Sequence, residues 1–192
     1  MELKILLYIN SNFKNAFFDF VMPFISFFSN KGWIWIAIAV GLLLTKKYRR
    51  YGVALSIGLA LCLVMGNVIL KSLVARPRPY DVYGEIELLI EKLSDFSFPS
   101  GHTYSAFCGA TILYFMNRKI GYAAFAFAVL TAFSRLYLFV HYPTDVLAGI
   151  VMGVAVAFLA MYILKDLERR FQFGRAENEV NEINDINEIN ET

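Results

Sequence analysis

The chain has 192 residues, of which 58% are hydrophobic and only 18% charged, a balance shifted towards membrane proteins from the mixture usual in soluble domains. This length allows one domain and little more. The formal net charge of +2 comes with dispersed cations and no zinc-ligand spacing or recognition-helix pattern, which excludes a nucleic-acid module. The two cysteines, Cys62 and Cys108, lie inside apolar runs and imply buried small hydrophobes rather than a disulfide framework.

Met1 to Asn30 is apolar but interrupted by Lys4, Lys14, Asp19 and Pro23. Within it, Asn12 to Ser29 fits either a short span or an amphipathic helix lying in the interface. No basic stretch followed by a small-residue cleavage site is present, so no cleaved signal peptide is expected. The second run, Trp33 to Thr45, is short for the ~20 residues a crossing needs and ends at Lys46, Lys47, Arg49 and Arg50. The third, Gly52 to Leu70, closes on Lys71. A polar stretch, Ser72 to Pro99, follows and has room for a short helix around Glu85 to Leu93. The fourth run starts at Ser100 and ends before Arg118 and Lys119. The fifth, Ile120 to Val140, contains one charge, Arg135. The sixth, Thr144 to Leu164, begins just after Pro143 and ends at Lys165, Arg169 and Arg170. Residues that are apolar all round each run mean helices surrounded by lipid and by one another. The expectation is an all-α integral membrane protein, a six-helix transmembrane bundle whose first helix is either short or interfacial.

Alternating spans place the basic clusters at 46–50, 118–119 and 165–170 on one face, which should be cytoplasmic. The 72–99 loop and the 140–144 turn then share the opposite face. The last segment, residues 174–192, carries six acidic residues and Arg175 in a repeated Asn-acidic-Ile pattern. Such a composition argues for a disordered tail, so the expected division is a membrane-embedded domain at 1–173 and an acidic tail at 174–192. Without the tail the chain carries a net charge of +7, an excess that suits anionic lipid or an anionic substrate.

Three polar clusters interrupt the ends of the runs on the outer face. They are Lys71 through Arg78-Pro79, then Pro99-Ser100-Gly101-His102, then Ser134-Arg135 with His141 and Asp145. The only two histidines of the chain are among them. Lys71 alone could snorkel to the interface, but an ionised Arg135 inside an apolar run needs a partner. Three converging cations call for an anion, and arginine offers bidentate donors to phosphate. Ser100 reads as an N-cap whose helix start would attract an anion, and Gly101 would let one approach the backbone; an ordinary cap is the plainer alternative. Asp145, four residues after His141 and across Pro143, is either a helix cap or the group that orients the imidazole for attack. His102 is placed to protonate a leaving oxygen. The acidic residues Asp81, Glu85, Glu87, Glu91 and Asp95 show no metal-ligand spacing and read as a solvated loop face. Asn67, one turn before Lys71, either orients that lysine or packs between helices.

The spacing Lys71-x6-Arg78-Pro79, the tetrapeptide Pro99-Ser100-Gly101-His102, and Ser134-Arg135-x5-His141-x3-Asp145 together resemble the three-part signature of the type-2 phosphatidic-acid phosphatase superfamily. The resemblance covers residues 71–145. It implies catalysis without metal or cofactor through a phosphohistidine. In it His141 is the nucleophile, Asp145 orients it and His102 is the general acid. Lys71, Arg78, Ser100, Gly101 and Arg135 bind phosphate. The substrate expected from the resemblance is a membrane lipid phosphate or diphosphate: undecaprenyl diphosphate, phosphatidylglycerol phosphate, phosphatidic acid, or the 1-phosphate of lipid A. The setting expected is a bacterial inner membrane with the active site facing outward and the C-terminus cytoplasmic. Two rivals are a vanadate-binding haloperoxidase, disfavoured by the lipid-length runs, and a non-catalytic membrane scaffold that uses the acidic tail for partners.

Overall fold

The computed structural model describes residues 1–84 and 86–190. In chain order its helices are α1 (Glu2–Phe13), α2 (Ala16–Ser29), a 3-10 turn (Asn30–Gly32), α3 (Trp33–Leu44), α4 (Arg49–Leu61), a π-helical segment (Cys62–Leu70), α5 (Lys71–Val74), α6 (Pro79–Tyr83), α7 (Gly101–Met116), α8 (Arg118–Tyr137) and α9 (Pro143–Asn190). Among the described residues there is no strand. Three stretches among them, Arg49–Tyr83, Arg118–Tyr137 and Pro143–Arg170, are long and apolar enough to cross a membrane.

The most deeply buried helix marks the centre of the bundle. In α7 every residue from Thr103 to Leu113 is buried, with α4, α8 and α9 packed around it. At 16 residues it measures ~24 Å by the helical rise, which suits a helix screened from lipid by its neighbours. Close approach of α9 depends on glycine. A Cβ at Gly153 would lie 2.5 Å from the Tyr104 carbonyl oxygen and 3.0 Å from Phe107 Cβ, and one at Gly149 would lie 2.9 Å from the Ser100 carbonyl oxygen. Small residues four apart allow such backbone contact between membrane helices. We expect Gly153→Val to destabilise the protein by about 2 kcal/mol or more, because backbone cannot yield as a side chain does. Thermal melting in detergent checks this, with Gly41→Ala as control, since nothing lies within 4 Å of a Cβ there.

The first 45 residues depart from expectation. The stretch Asn12–Ser29 is divided between two helices: Lys14 is extended, and Asn15 caps α2 through a bond from Phe18 N–H. α2 and α3 then form a pair bent by 48° at the 3-10 turn, with Gly32 at φ 72° as the residue before α3. Side-chain pairs fix the direction of α2. The Tyr137 hydroxyl donates to Asp19 (2.6 Å), Arg135 donates to Ser26, and Ser29 meets Thr131 (2.9 Å). α2 therefore runs antiparallel to α8, and α3 continues past the break.

The helix expected near Glu85–Leu93 is absent over residues 86–93; Glu85 lies outside the described residues. The short helix forms earlier, at Pro79–Tyr83, where proline opens it and Gly84 at φ 44° ends it. Tyr80 then holds the following loop, its hydroxyl donating to Leu93 O and accepting from Leu93 N, both at 3.0 Å. The backbone of α9 is helical as far as Asn190, through the segment whose composition argues for disorder. At the opposite end of the bundle Arg50 pairs with Glu168 at 3.3 Å, which brings the basic clusters at 46–50 and 165–170 together.

Candidate active site

Lys71 sits where the π segment becomes α5, Arg78 in the extended stretch before α6, and Arg135 in the last turn of α8. All three are buried. Arg78 is held by main chain: its Nε donates to Asp95 O (2.8 Å), Nη1 to Val140 O (2.7 Å) and Nη2 to Phe96 O (3.3 Å). Its Nη2 also pairs with Asp95 Oδ1 at 2.6 Å, while Lys71 Nζ pairs with the other Asp95 oxygen. Arg135 is fully buried, yet among the described residues only Nη1 has a partner, Ser26 Oγ; Nε and Nη2 have none. Leaving charged donors unpaired in the interior is costly.

His141 lies in the turn between α8 and α9, with Val140 and Tyr142 buried beside it. Its Nε2 is 3.3 Å from Arg78 Nη1 and so faces the cations. Its Nδ1 is 3.6 Å from Asp145 Oδ2, longer than a hydrogen bond. The Ser97 hydroxyl stands between them, 3.4 Å from Nδ1 and donating to Asp145 Oδ2 at 2.5 Å. This network assigns the proton to Nδ1 and leaves Nε2 unprotonated, its lone pair accepting from Arg78 Nη1. Burial, aided by the nearby Arg78 and Arg135, pushes the His141 pKa down to about 3 against the opposing pull of Asp145. The imidazole is thus neutral near pH 7 and available as a nucleophile.

Asp145 is fixed from every side. Its Oδ2 also accepts from Tyr142 N–H at 2.9 Å, and its Oδ1 accepts from Arg76 Nη1 at 2.6 Å. Arg76 stacks on the Tyr142 ring with 3.8 Å to the centroid and pairs through Nη2 with Glu2 at 2.6 Å. Glu2 in turn accepts from the Thr144 hydroxyl (2.6 Å). Helix α1 is therefore latched onto the same carboxylate that stands behind His141.

A cavity of about 650 Å³ joins these groups. Lys71, Arg78, His102 and His141 line one part of it, and Ile36, Leu59, Ala60 and Leu63 another. Ser29, Asn30 and Gly32, at the α2–α3 break, form a polar stretch of its wall. Gly101 lines it too, and the space beside Gly101 is taken by Asn67, whose Oδ1 would be 2.9 Å from a Cβ there. Arg135, Asp145 and Ser100 stand behind the wall, fully buried. Ser100 is not a side-chain N-cap: its hydroxyl meets Thr103 Oγ1 at 3.0 Å and its N–H donates to Asp145 O at 3.1 Å. The carbonyl of Ser100 is pressed against α9 at Gly149.

One reading of the sequence is corrected. Asp95 is exposed as a loop face would be, but it is more than a solvated residue, since its carboxylate bridges Lys71 and Arg78. Burial works in the other direction, but pairing with those two cations holds its carboxyl below the usual range. Ser97, Arg76 and Glu2 escaped the reading altogether. Their only signal is adjacency: Asp95 and Ser97 just precede Pro99-Ser100-Gly101-His102, and Arg76-Pro77 repeats the Arg78-Pro79 pattern.

The profile of the PAP2 superfamily matches residues 50–169, which contain every cavity-lining charged side chain described above. An undecaprenyl-diphosphatase of Sulfolobus acidocaldarius is 34% identical over 144 residues, 74% of this chain and 69% of that protein. Undecaprenyl-diphosphatase BcrC of Bacillus subtilis is 33% identical over 157 residues, 82% of this chain and 80% of that protein. The crystal structure of Aquifex aeolicus LpxE superposes with a TM-score of 0.70 at 25% identity, covering 84% of this chain and 94% of that one. The apolar helices, the buried cation cluster and these likenesses agree on a phosphoric-ester hydrolase embedded in a membrane: the chain belongs to the PAP2 superfamily.

Proposed function

We propose that this protein removes a terminal phosphate from a lipid phosphate or diphosphate, undecaprenyl diphosphate first among them, through a phosphohistidine on His141. The observation that carries this reading is one cavity lined both by Lys71, Arg78 and the two histidines and by the apolar side chains of Ile36, Leu59, Ala60 and Leu63. A phosphate head group and the start of a hydrocarbon tail fit those two environments. Lys71, Arg78 and Arg135 neutralise the equatorial oxygens, with Ser100 and Gly101 shaping the helix start beside them. His141 Nε2 attacks phosphorus, the bond to the leaving oxygen breaks, and His102 gives that oxygen a proton. Water, losing a proton to His102, then displaces phosphate from His141. Asp145, through Ser97, holds the Nδ1 proton in place. No step requires a metal or cofactor.

We further infer the orientation. The six apolar helices α2, α3, α4 with its π continuation, α7, α8 and α9 form the bundle, with α2 and α3 as halves of one broken span. The basic ends at 46–50, 118–119 and 165–170 favour the cytoplasm. The site and α1 then face outward from a bacterial inner membrane, and the C-terminus is cytoplasmic. Residues 1–173 form the phosphatase domain, and the acidic residues 174–192 are dispensable for turnover.

Phosphate release from a panel of undecaprenyl diphosphate, phosphatidylglycerol phosphate, phosphatidic acid and lipid A 1-phosphate tests the reading. The highest kcat/KM is expected on undecaprenyl diphosphate, undiminished by a chelator and by truncation after Phe173. Turnover of none of the four, or its loss on chelation, sinks the mechanism. Loss on truncation would favour a scaffold that works through its tail.

A further inference from the structure

The cations assigned to phosphate are already engaged. Asp95 presents one oxygen to Arg78 Nη2 at 2.6 Å and the other to Lys71 Nζ, as two oxygens of a phosphoryl group would. The partners differ in freedom. The Asp95 side chain is 50% exposed, against 2% for Arg78 and 7% for Lys71. Arg78 would keep its three main-chain carbonyl acceptors, Asp95 O, Val140 O and Phe96 O, after the carboxylate swings away. Rotation about the Asp95 side-chain bonds therefore opens the site without moving the guanidinium.

We propose that Asp95 is a displaceable internal anion that selects substrates by charge, admitting phosphomonoesters and diphosphates and excluding phosphodiesters. The proposal rests on the reading of Lys71 and Arg78 as phosphate-binding. A phosphodiester carries one negative charge. In replacing Asp95 it exchanges one monoanion for another and gains nothing from the cations. A monoester dianion or a diphosphate brings at least one further charge, which Lys71 and Arg78, with the incompletely bonded Arg135 buried behind them, attract more strongly than the carboxylate it replaces. The problem this solves is physical. A membrane presents diester head groups at high local concentration, and a cavity lined by bare Lys71 and Arg78 would attract them. Discrimination through an element that penalises the wrong ligand is a general route to specificity.

The test uses the purified full chain in detergent micelles, with Asp95→Asn and Asp95→Ser. Phosphatidic acid serves as the monoester substrate and phosphatidylglycerol as the diester competitor. For both variants we expect competitive inhibition by phosphatidylglycerol to strengthen about tenfold, the effect of about one lost competing charge interaction. The KM for phosphatidic acid should fall, and inhibition by inorganic phosphate should tighten. Unchanged phosphatidylglycerol inhibition overturns the proposal, as does a raised KM. Loss of folded protein in both variants also overturns it, because Asp95 is then a structural counter-ion that substrate does not displace. An unchanged KM in Lys71→Met removes the underlying reading of the cations. A Lys71 effect together with inert Asp95 variants removes the selection proposal alone.

Discussion

His141→Ala should lower lipid phosphate release by about 10⁴-fold or more, as removal of a nucleophile does in other covalent mechanisms, while leaving the protein folded. The imidazole is nearly inaccessible, and its Nε2 points at Arg78 rather than at a structural partner. Its removal leaves no buried carboxylate bare, because Asp145 keeps Ser97, the Tyr142 N–H and Arg76. Size-exclusion and thermal melting should therefore match the wild type. The wild-type protein, quenched during turnover, should carry an acid-labile, base-stable phosphoryl group that His141→Ala lacks. Retention of more than a few per cent of activity in the variant would falsify His141 as the nucleophile and leave only the fold assignment standing.

Arg135→Lys is expected to reduce kcat/KM by about 10²–10³-fold, the scale of losing a preorganised donor to developing charge. The charge survives this change but the planar fork does not. Nε and Nη2 are the donors without partners, and lysine cannot supply both from one position. Stability should move the other way. Arg135 is 0% exposed and incompletely bonded, so Arg135→Met removes an unfavourable buried charge and should hold or raise the melting temperature while abolishing turnover. Steady-state kinetics with a melting curve on the same preparations separates the two effects. Activity within threefold of wild type in Arg135→Lys would make the side chain a structural tie to Ser26.

Both predictions depend on a site whose ingredients were visible in the chain but whose contacts were not. Lys71, Arg78, His102, Arg135, His141 and Asp145 stand out in one dimension because charged and titratable groups are rare at the ends of apolar runs. Asp95 did not stand out, since one carboxylate among five in a polar loop looks the same whether it faces water or a cation. Its pairing with Lys71 spans 24 residues. Ser97 is a lone serine before a proline turn, and nothing local indicates that its hydroxyl lies between His141 and Asp145. The latch of α1 onto the site, through Glu2 and Thr144, crosses 142 residues.

The division has a simple origin. Burial in lipid demands apolar residues all along a helix, so the amino-acid order shows where the apolar helices run, which ends carry basic clusters and which rare polar groups are candidates for function. It also carries the three-part signature from which the phosphatase family can be read. Order along the chain holds no record of the angle at which helices cross or the depth at which a chain breaks. The bend between α2 and α3, the glycine contact of α9 with α7 and the turn of the 86–99 loop are set by packing between distant segments. Those are the features that place Asp95 on the cations and Ser97 between His141 and Asp145. They also leave two buried donors of Arg135 without a partner among the described residues.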